Sequence, residues 1–108
     1  NLWFASMGSG VWKHNPQANS FEKYINKEGE PNSLSSNSVS SVMQDSKGRI
    51  WLSTDRGGIC RYNAETNDFT SFSIKEGLPD DVAYEILEDD AHNLWFGTNK
   101  GLVKFNPD

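Results

Sequence analysis

An all-β fold of repeated four-stranded sheets is what this sequence predicts, and three observations predict it. An aliphatic residue followed by Trp returns three times, as Leu2-Trp3-Phe4, Ile50-Trp51-Leu52 and Leu94-Trp95-Phe96, at steps of 48 and 44 residues. Each copy sits in the same longer pattern. Gly10-Val11-Trp12-Lys13-His14-Asn15 lies over Gly58-Ile59-Cys60-Arg61-Tyr62-Asn63, and Thr54-Asp55-Arg56-Gly57 over Thr98-Asn99-Lys100-Gly101. Within one unit, four short runs are bounded by turn residues: Val39 to Asp45, Ile50 to Thr54, Ile59 to Asn63 and Phe69 to Ser73.

The first run ends in Asp45-Ser46-Lys47-Gly48, where Gly supplies the positive φ a tight turn needs. In the second, Ile50, Trp51 and Leu52 are consecutive, so both faces of that strand are apolar and both need a cover. The third leads into Asn63-Ala64-Glu65-Thr66-Asn67, whose Asn side chains suit an Asx turn. The fourth, Phe69-Thr70-Ser71-Phe72, is half polar and reads as a rim strand. A meander of about 45 residues, too thin to enclose a core and stacked face to face with its neighbours, is a β-propeller blade. The chain enters at a second strand (Leu2 to Ser6) and leaves after a third (Leu102 to Asn106), which gives ten strands and a partial propeller of roughly two and a half blades. Residues 1–36 are the expected incomplete first blade (strands two to four) with its linker, 37–80 a complete blade and linker, and 81–108 an incomplete last blade (strands one to three).

Composition narrows the function classes. With 35% apolar and 23% charged residues the chain reads as an ordinary soluble polypeptide, and no apolar run approaches the ~20 residues of a membrane span. A net charge of −5 with dispersed basic residues argues against nucleic acid as a partner. The single Cys60 rules out an internal disulfide and falls in an apolar strand slot, where it reads as a small buried hydrophobe. Neither a metal site nor a cofactor is expected, because His, Cys and carboxylates lack ligand spacing.

Several repeat families fit poorly. Trp51 and Trp95 are followed by Leu52 and Phe96 rather than Asp. Asp45 and Gly48 stand three apart rather than at the spacing of a sialidase Asp box, and the Gly57-Gly58 pair of a kelch repeat does not recur at Gly101-Leu102. The unit Asn37-Ser38-Val39, then Asp45 to Ile59, then Arg61-Tyr62-Asn63, closely resembles the two-component regulator propeller repeat. So does the stretch Gly77-Leu78-Pro79-Asp80-Asp81-Val82, Leu87-Glu88-Asp89 and Asn93 to Leu102, with His92 in the usual glycine slot. The resemblance implies a parent similar to hybrid two-component sensors of the Bacteroidetes type. There, two seven-bladed propellers and an immunoglobulin-like domain form a periplasmic sensor, linked through one membrane helix to a histidine kinase, with oligosaccharides as the ligands of many members. It implies for this segment a periplasmic location, signal transduction through a phosphorelay carried out elsewhere in the parent, and the remaining propeller blades as partners.

Candidate residues separate into scaffold and site. Trp3, Trp51 and Trp95, with Tyr62 and Phe105, repeat in register and are expected in the core between blades, as is Trp12. His14 occupies the slot of Tyr62 and Phe105 and is expected to be packed or hydrogen-bonded rather than a base, and the acidic run Glu88-Asp89-Asp90 is expected in turn chemistry rather than as a glycosidase pair. No catalytic residue is therefore predicted. Loops at one end of each blade are better candidates for binding, because a scaffold repeats while a site is particular. Asp55, Arg56, Asn99 and Lys100 in the turns between second and third strands, with Asp81 and Tyr84 in and beside the linker to the last blade, are the predicted ligand-binding residues. Three readings follow: a non-catalytic sensory segment, a fragment of a propeller carbohydrate-active enzyme, or structural blades that dimerise. Open apolar end faces also predict self-association of the segment.

Overall fold

The computed structural model describes residues 2–108; Asn1, which opens the first predicted unit, lies outside the described residues. Strands β1 (Leu2–Ala5), β2 (Val11–Asn15) and β3 (Ser20–Tyr24) make a first sheet. Strands β4 (Val39–Gln44), β5 (Ile50–Thr54), β6 (Ile59–Asn63) and β7 (Asp68–Phe72) make a second, and β8 (Ala83–Glu88), β9 (Leu94–Thr98) and β10 (Gly101–Phe105) a third. Every pairing is antiparallel between strands adjacent in sequence, the meander expected of propeller blades.

Strand ends differ slightly from expectation. Asp45 leaves β4 because its main chain closes the turn, its N–H donating to the Arg49 carbonyl (2.9 Å) and its carbonyl accepting from Gly48 N (3.0 Å). Ser73 leaves β7 because it caps a single 3-10 turn, Ile74–Glu76, that sequence reading missed. The Ser73 hydroxyl accepts from Lys75 N and Glu76 Oε1 accepts from Ser73 N, a capping box written as Ser-x-x-Glu.

Two apolar clusters fill the spaces between the sheets. Trp3, Val11 and Tyr24 of the first sheet pack on Val39, Leu52, Cys60 and Phe69 of the second. Trp51 and Ile59 of the second pack on Ala83, Ile86, Leu94 and Phe96 of the third. Trp51 and Leu52 therefore face opposite clusters, and both are 0% exposed. Val39 and Val42 stand three apart, a spacing that puts side chains on opposite faces of an unbroken strand. A β-bulge between Val39 and Ser41 brings both into the same cluster, and an equivalent irregularity between Ala83 and Ile86 does the same in the third sheet.

Trp12 departs from expectation. It is 36% exposed, with Lys23 Nζ 5.0 Å from its ring centroid, because among the described residues no sheet lies against that face of the first sheet. His14 is packed and hydrogen-bonded, its ring centroid 4.8 Å from that of Phe21 and Nε2 3.2 Å from Asn19 Oδ1.

Close approach between β6 and the end of β7 depends on Gly58, at φ 72°, where an added Cβ would stand 2.0 Å from the Phe72 carbonyl oxygen. Gly58→Ala is expected to cost about 2–3 kcal/mol, combining left-handed strain with a backbone shift. Gly101→Ala, with nothing within 4 Å of its Cβ, should cost only the strain. Urea melts of the two variants check the contrast.

Candidate functional site

All the predicted binding residues lie at one end of the sheets, where the turns between second and third strands meet the linkers. The same short-range device shapes each turn. The hydroxyls of Ser6, Thr54 and Thr98 donate to the carbonyls of Gly10, Gly58 and Gly101, each at 2.8 Å, which closes the loop and turns its tip outward. The linkers then stitch neighbouring blades together. Gly8 N and Gly10 N donate to the Asn37 carbonyl at 3.0 and 2.7 Å, and Gly58 N donates to the Asp81 carbonyl at 2.8 Å.

On this frame the candidates form two groups with Asp81 between them. Tyr84 donates its hydroxyl to Asn99 Oδ1, and Asn99 N donates to Asp80 Oδ2 at 3.2 Å, so one strand, one turn and one linker share a polar cluster. Asp55 is anchored through its main chain, N to the Ser38 carbonyl at 2.9 Å and its carbonyl to the Ser36 hydroxyl at 2.9 Å. Arg56, in the left-handed region at φ 77°, holds an 86% exposed guanidinium 4.0 Å from Asp55. Asp81 is partly committed to structure, its Oδ1 accepting from Ile74 N at 2.8 Å. The Lys100 side chain is exposed. The arrangement offers a cation, a carboxylate, an amide and a half-exposed aromatic ring, groups that suit polyhydroxyl or anionic ligands.

At the opposite end the expected turn chemistry of the acidic residues is present, together with bonds to the Trp indoles that the sequence did not suggest. Asp45 accepts four hydrogen bonds, from Lys47 N, Arg49 N, Arg49 Nε and Trp51 Nε1, at 2.6–3.0 Å. Asp89 repeats the set with Ala91 N, Asn93 N and Trp95 Nε1, the last at 2.6 Å. Burial opposes ionisation of Asp45, yet the Trp51 indole and Arg49 hold its carboxyl below the usual carboxylate range. The Trp95 indole and the turn amides do the same for Asp89. The signal is legible as an Asp six residues before Trp51 and again before Trp95. His92, at φ 66°, makes the turn that Gly48 makes at φ 82°.

Glu88, Ser46 and His92 also converge. The Ser46 hydroxyl lies 2.7 Å from Glu88 Oε2 and 3.0 Å from His92 Nδ1, and Glu88 Oε2 lies 3.3 Å from the same Nδ1. Serine and carboxylate meet one ring nitrogen, so the imidazole cannot pass a proton from one to the other as a triad requires. The Ser46 hydroxyl holds the Glu88 carboxyl below its ordinary value, the wrong direction for a general acid. Cys60 is buried, with its Sγ 2.8 Å from the Ser35 hydroxyl, and burial pushes its thiol up, away from reactivity. Among the described residues no group of three or more His, Cys, Asp or Glu has the geometry of a metal site.

Two grooves lie away from the predicted binding residues. One, about 740 Å³, opens between the first two sheets and is lined by Trp3, Lys13, Arg49, Ile50, Arg61 and Tyr62 among others. The other, about 500 Å³, runs along β3 and the first linker beside Lys27, Pro31 and Asn32. In the first, Lys13 Nζ sits 5.0–5.8 Å from the ring centroids of Trp3, Tyr24 and Tyr62 and 3.1 Å from the Tyr62 hydroxyl.

Comparison with known proteins agrees with this geometry. The extracellular domain of BT3049 from B. thetaiotaomicron, assigned as a hybrid two component system, superposes with a TM-score of 0.81 at 22% identity, over 97% of this chain and 16% of that one. The extracellular domain of BT4673 from B. thetaiotaomicron, assigned as a one component system, gives 0.76 at 23% identity, over 97% and 15%. These likenesses establish the fold, and the chain spans about one sixth of either structure. No curated protein matches by sequence. The family model for the two component regulator propeller matches residues 33–56 and 77–100, each match running from linker to outer turn and containing one Asp–Trp pair with its second strand. By both matched segments the chain is similar to the two component regulator propeller family.

Proposed function

We propose that the chain is a non-catalytic sensory segment from the extracytoplasmic part of a two-component-type receptor, and that its linker end binds an oligosaccharide. The observation that carries the reading is the division of labour between the two ends. Acidic groups at the turn end are spent on indoles, turn amides and serine, whereas the linker end presents Arg56, Lys100, Asn99, Tyr84 and Asp55 on closed, anchored turns. Similarity to regulator propeller repeats, and a fold shared with extracellular domains of two-component systems, support the sensory setting. The lowered carboxyls of Glu88 and Asp89 speak against a glycosidase, whose acid needs a raised one.

Calorimetric titration of the chain with a panel of neutral and uronic-acid oligosaccharides tests the reading. At least one should bind, and Asn99→Ala and Arg56→Ala should each weaken it about fivefold, the loss of one polar contact of about 1 kcal/mol. Heats absent across the panel, or affinities indifferent to both substitutions, would refute it.

A further inference from the structure

The linker residue shortly before β4 and its counterpart before β8 make the same pair of bonds. Asn37 accepts the Asn26 N–H on its side-chain Oδ1 at 2.7 Å, and its main-chain carbonyl accepts the N–H groups of Gly8 and Gly10 at 3.0 and 2.7 Å. Asp81 accepts the Ile74 N–H on Oδ1 and the Gly58 N–H on its carbonyl, each at 2.8 Å. The partners correspond in the repeat, Gly10 to Gly58, Asn26 to Ile74 and Asn37 to Asp81. The lengths between them do not. Asn26 and Asn37 stand 11 residues apart, whereas Ile74 and Asp81 stand 7 apart. Two linkers of different length are thus pinned at equivalent points, which makes the clip rather than the linker sequence the common element. An amide oxygen serves in one and a carboxylate oxygen in the other, so the clip needs an acceptor at that reach and not a negative charge.

We propose that Asp81 and Asn37 are positioning residues of the linker end and not ligand contacts: each ties the start of its linker to the turn between second and third strands of the preceding sheet. In the second sheet that turn carries Asp55 and Arg56, so Asp81 sets where those two side chains stand. This role rests on the turn being the binding surface proposed above, whereas the clip itself is measured without any sugar. The coupling is mechanical. Both oxygens belong to one residue, so releasing the side chain from Ile74 N frees the linker and carries the carbonyl away from Gly58 N. The main-chain bond then weakens although neither of its atoms has been changed.

Amide hydrogen exchange read by NMR tests the coupling residue by residue. In Asp81→Ala the amides of Ile74 and Gly58 should both exchange about three- to tenfold faster, the scale of one hydrogen bond, while Gly10 keeps its rate. Asp81→Asn should retain the wild-type rates, since Asn37 makes the same clip with an amide. Asn37→Ala should give the mirror result, faster exchange at Asn26, Gly8 and Gly10 with Gly58 unmoved. Unchanged exchange at Gly58 in Asp81→Ala would reduce the side chain to a cap on the linker and overturn the proposal. Asp81→Asn behaving like Asp81→Ala would overturn it too, because the charge would then matter. With the oligosaccharide panel, Asp81→Asn should bind as wild type does and Asp81→Ala more weakly. Affinity lost in both, with exchange intact in Asp81→Asn, would make Asp81 a ligand contact and overturn the proposal. Heats absent across the panel beside the expected exchange pattern would refute sugar binding and uphold the clip.

Discussion

Replacing Asp45 with Ala should destabilise the chain by about 3–5 kcal/mol, the range for removing one partner from a buried, charge-assisted network. The Asp45 side chain is 0% exposed and is the acceptor for the Trp51 indole, itself wholly buried, as well as a partner of Arg49 Nε at 2.6 Å. Its loss strands a buried indole N–H and takes one of two carboxylate partners from Arg49, whose Nη1 keeps Asp108 at 2.9 Å and whose Nη2 has no partner among the described residues. Two turn amides, of Lys47 and Arg49, lose their acceptor too. Asp89→Ala removes the same motif from a setting where Trp95 is only partly covered, so water can replace the lost bonds and the cost should be clearly smaller. Urea unfolding at one fixed protein concentration reads both numbers, and equal losses would refute burial as the deciding variable.

The same network carries a pH dependence with a definite sign. Asp45 has a folded-state pKa below its unfolded value, so its contribution is complete above the unfolded pKa and is lost as pH falls through the folded one. The gap between wild type and Asp45→Ala should therefore hold steady near neutrality and narrow below about pH 4. A gap that widened on acidification would reverse the assignment.

How far the sequence discloses this depends on whether a feature is periodic. Strand order and sheet count follow from Trp3, Trp51 and Trp95, because a residue repeated in register must serve the contact that repeats. The division of Trp51 and Leu52 between two clusters follows from adjacent apolar residues on one strand. The β-bulges were hidden, since Val39 and Val42 suggest a broken alternation rather than a shifted one. Trp12 was misplaced because a slot that is buried in the middle sheet is open in the first: burial belongs to the neighbour as much as to the residue. At the linker end, the side chains named from sequence all emerge together, but the Tyr84–Asn99 bond and the capping role of Asp81 depend on a linker path no local pattern encodes.

Trp51→Ala is the second large effect, about 3–5 kcal/mol, as expected for a large aromatic removed from a core that cannot collapse around the cavity. The ring is 0% exposed, 5.7 Å from Phe105 and 6.0 Å from Phe72 between centroids, with Arg49 and Arg61 each 5.9 Å away over its faces. Trp95→Ala should cost about 1–2 kcal/mol, because that ring is only partly buried. Since Trp51 and Asp45 share one hydrogen bond, their losses should not add: once the indole is gone, Asp45 no longer serves a buried donor. A double-mutant cycle should therefore give a double variant less destabilised than the sum of its singles by about 1–2 kcal/mol. Simple additivity would mean that packing and the Asp–Trp bond act independently, and that the repeated spacing of six residues serves the turn rather than the core.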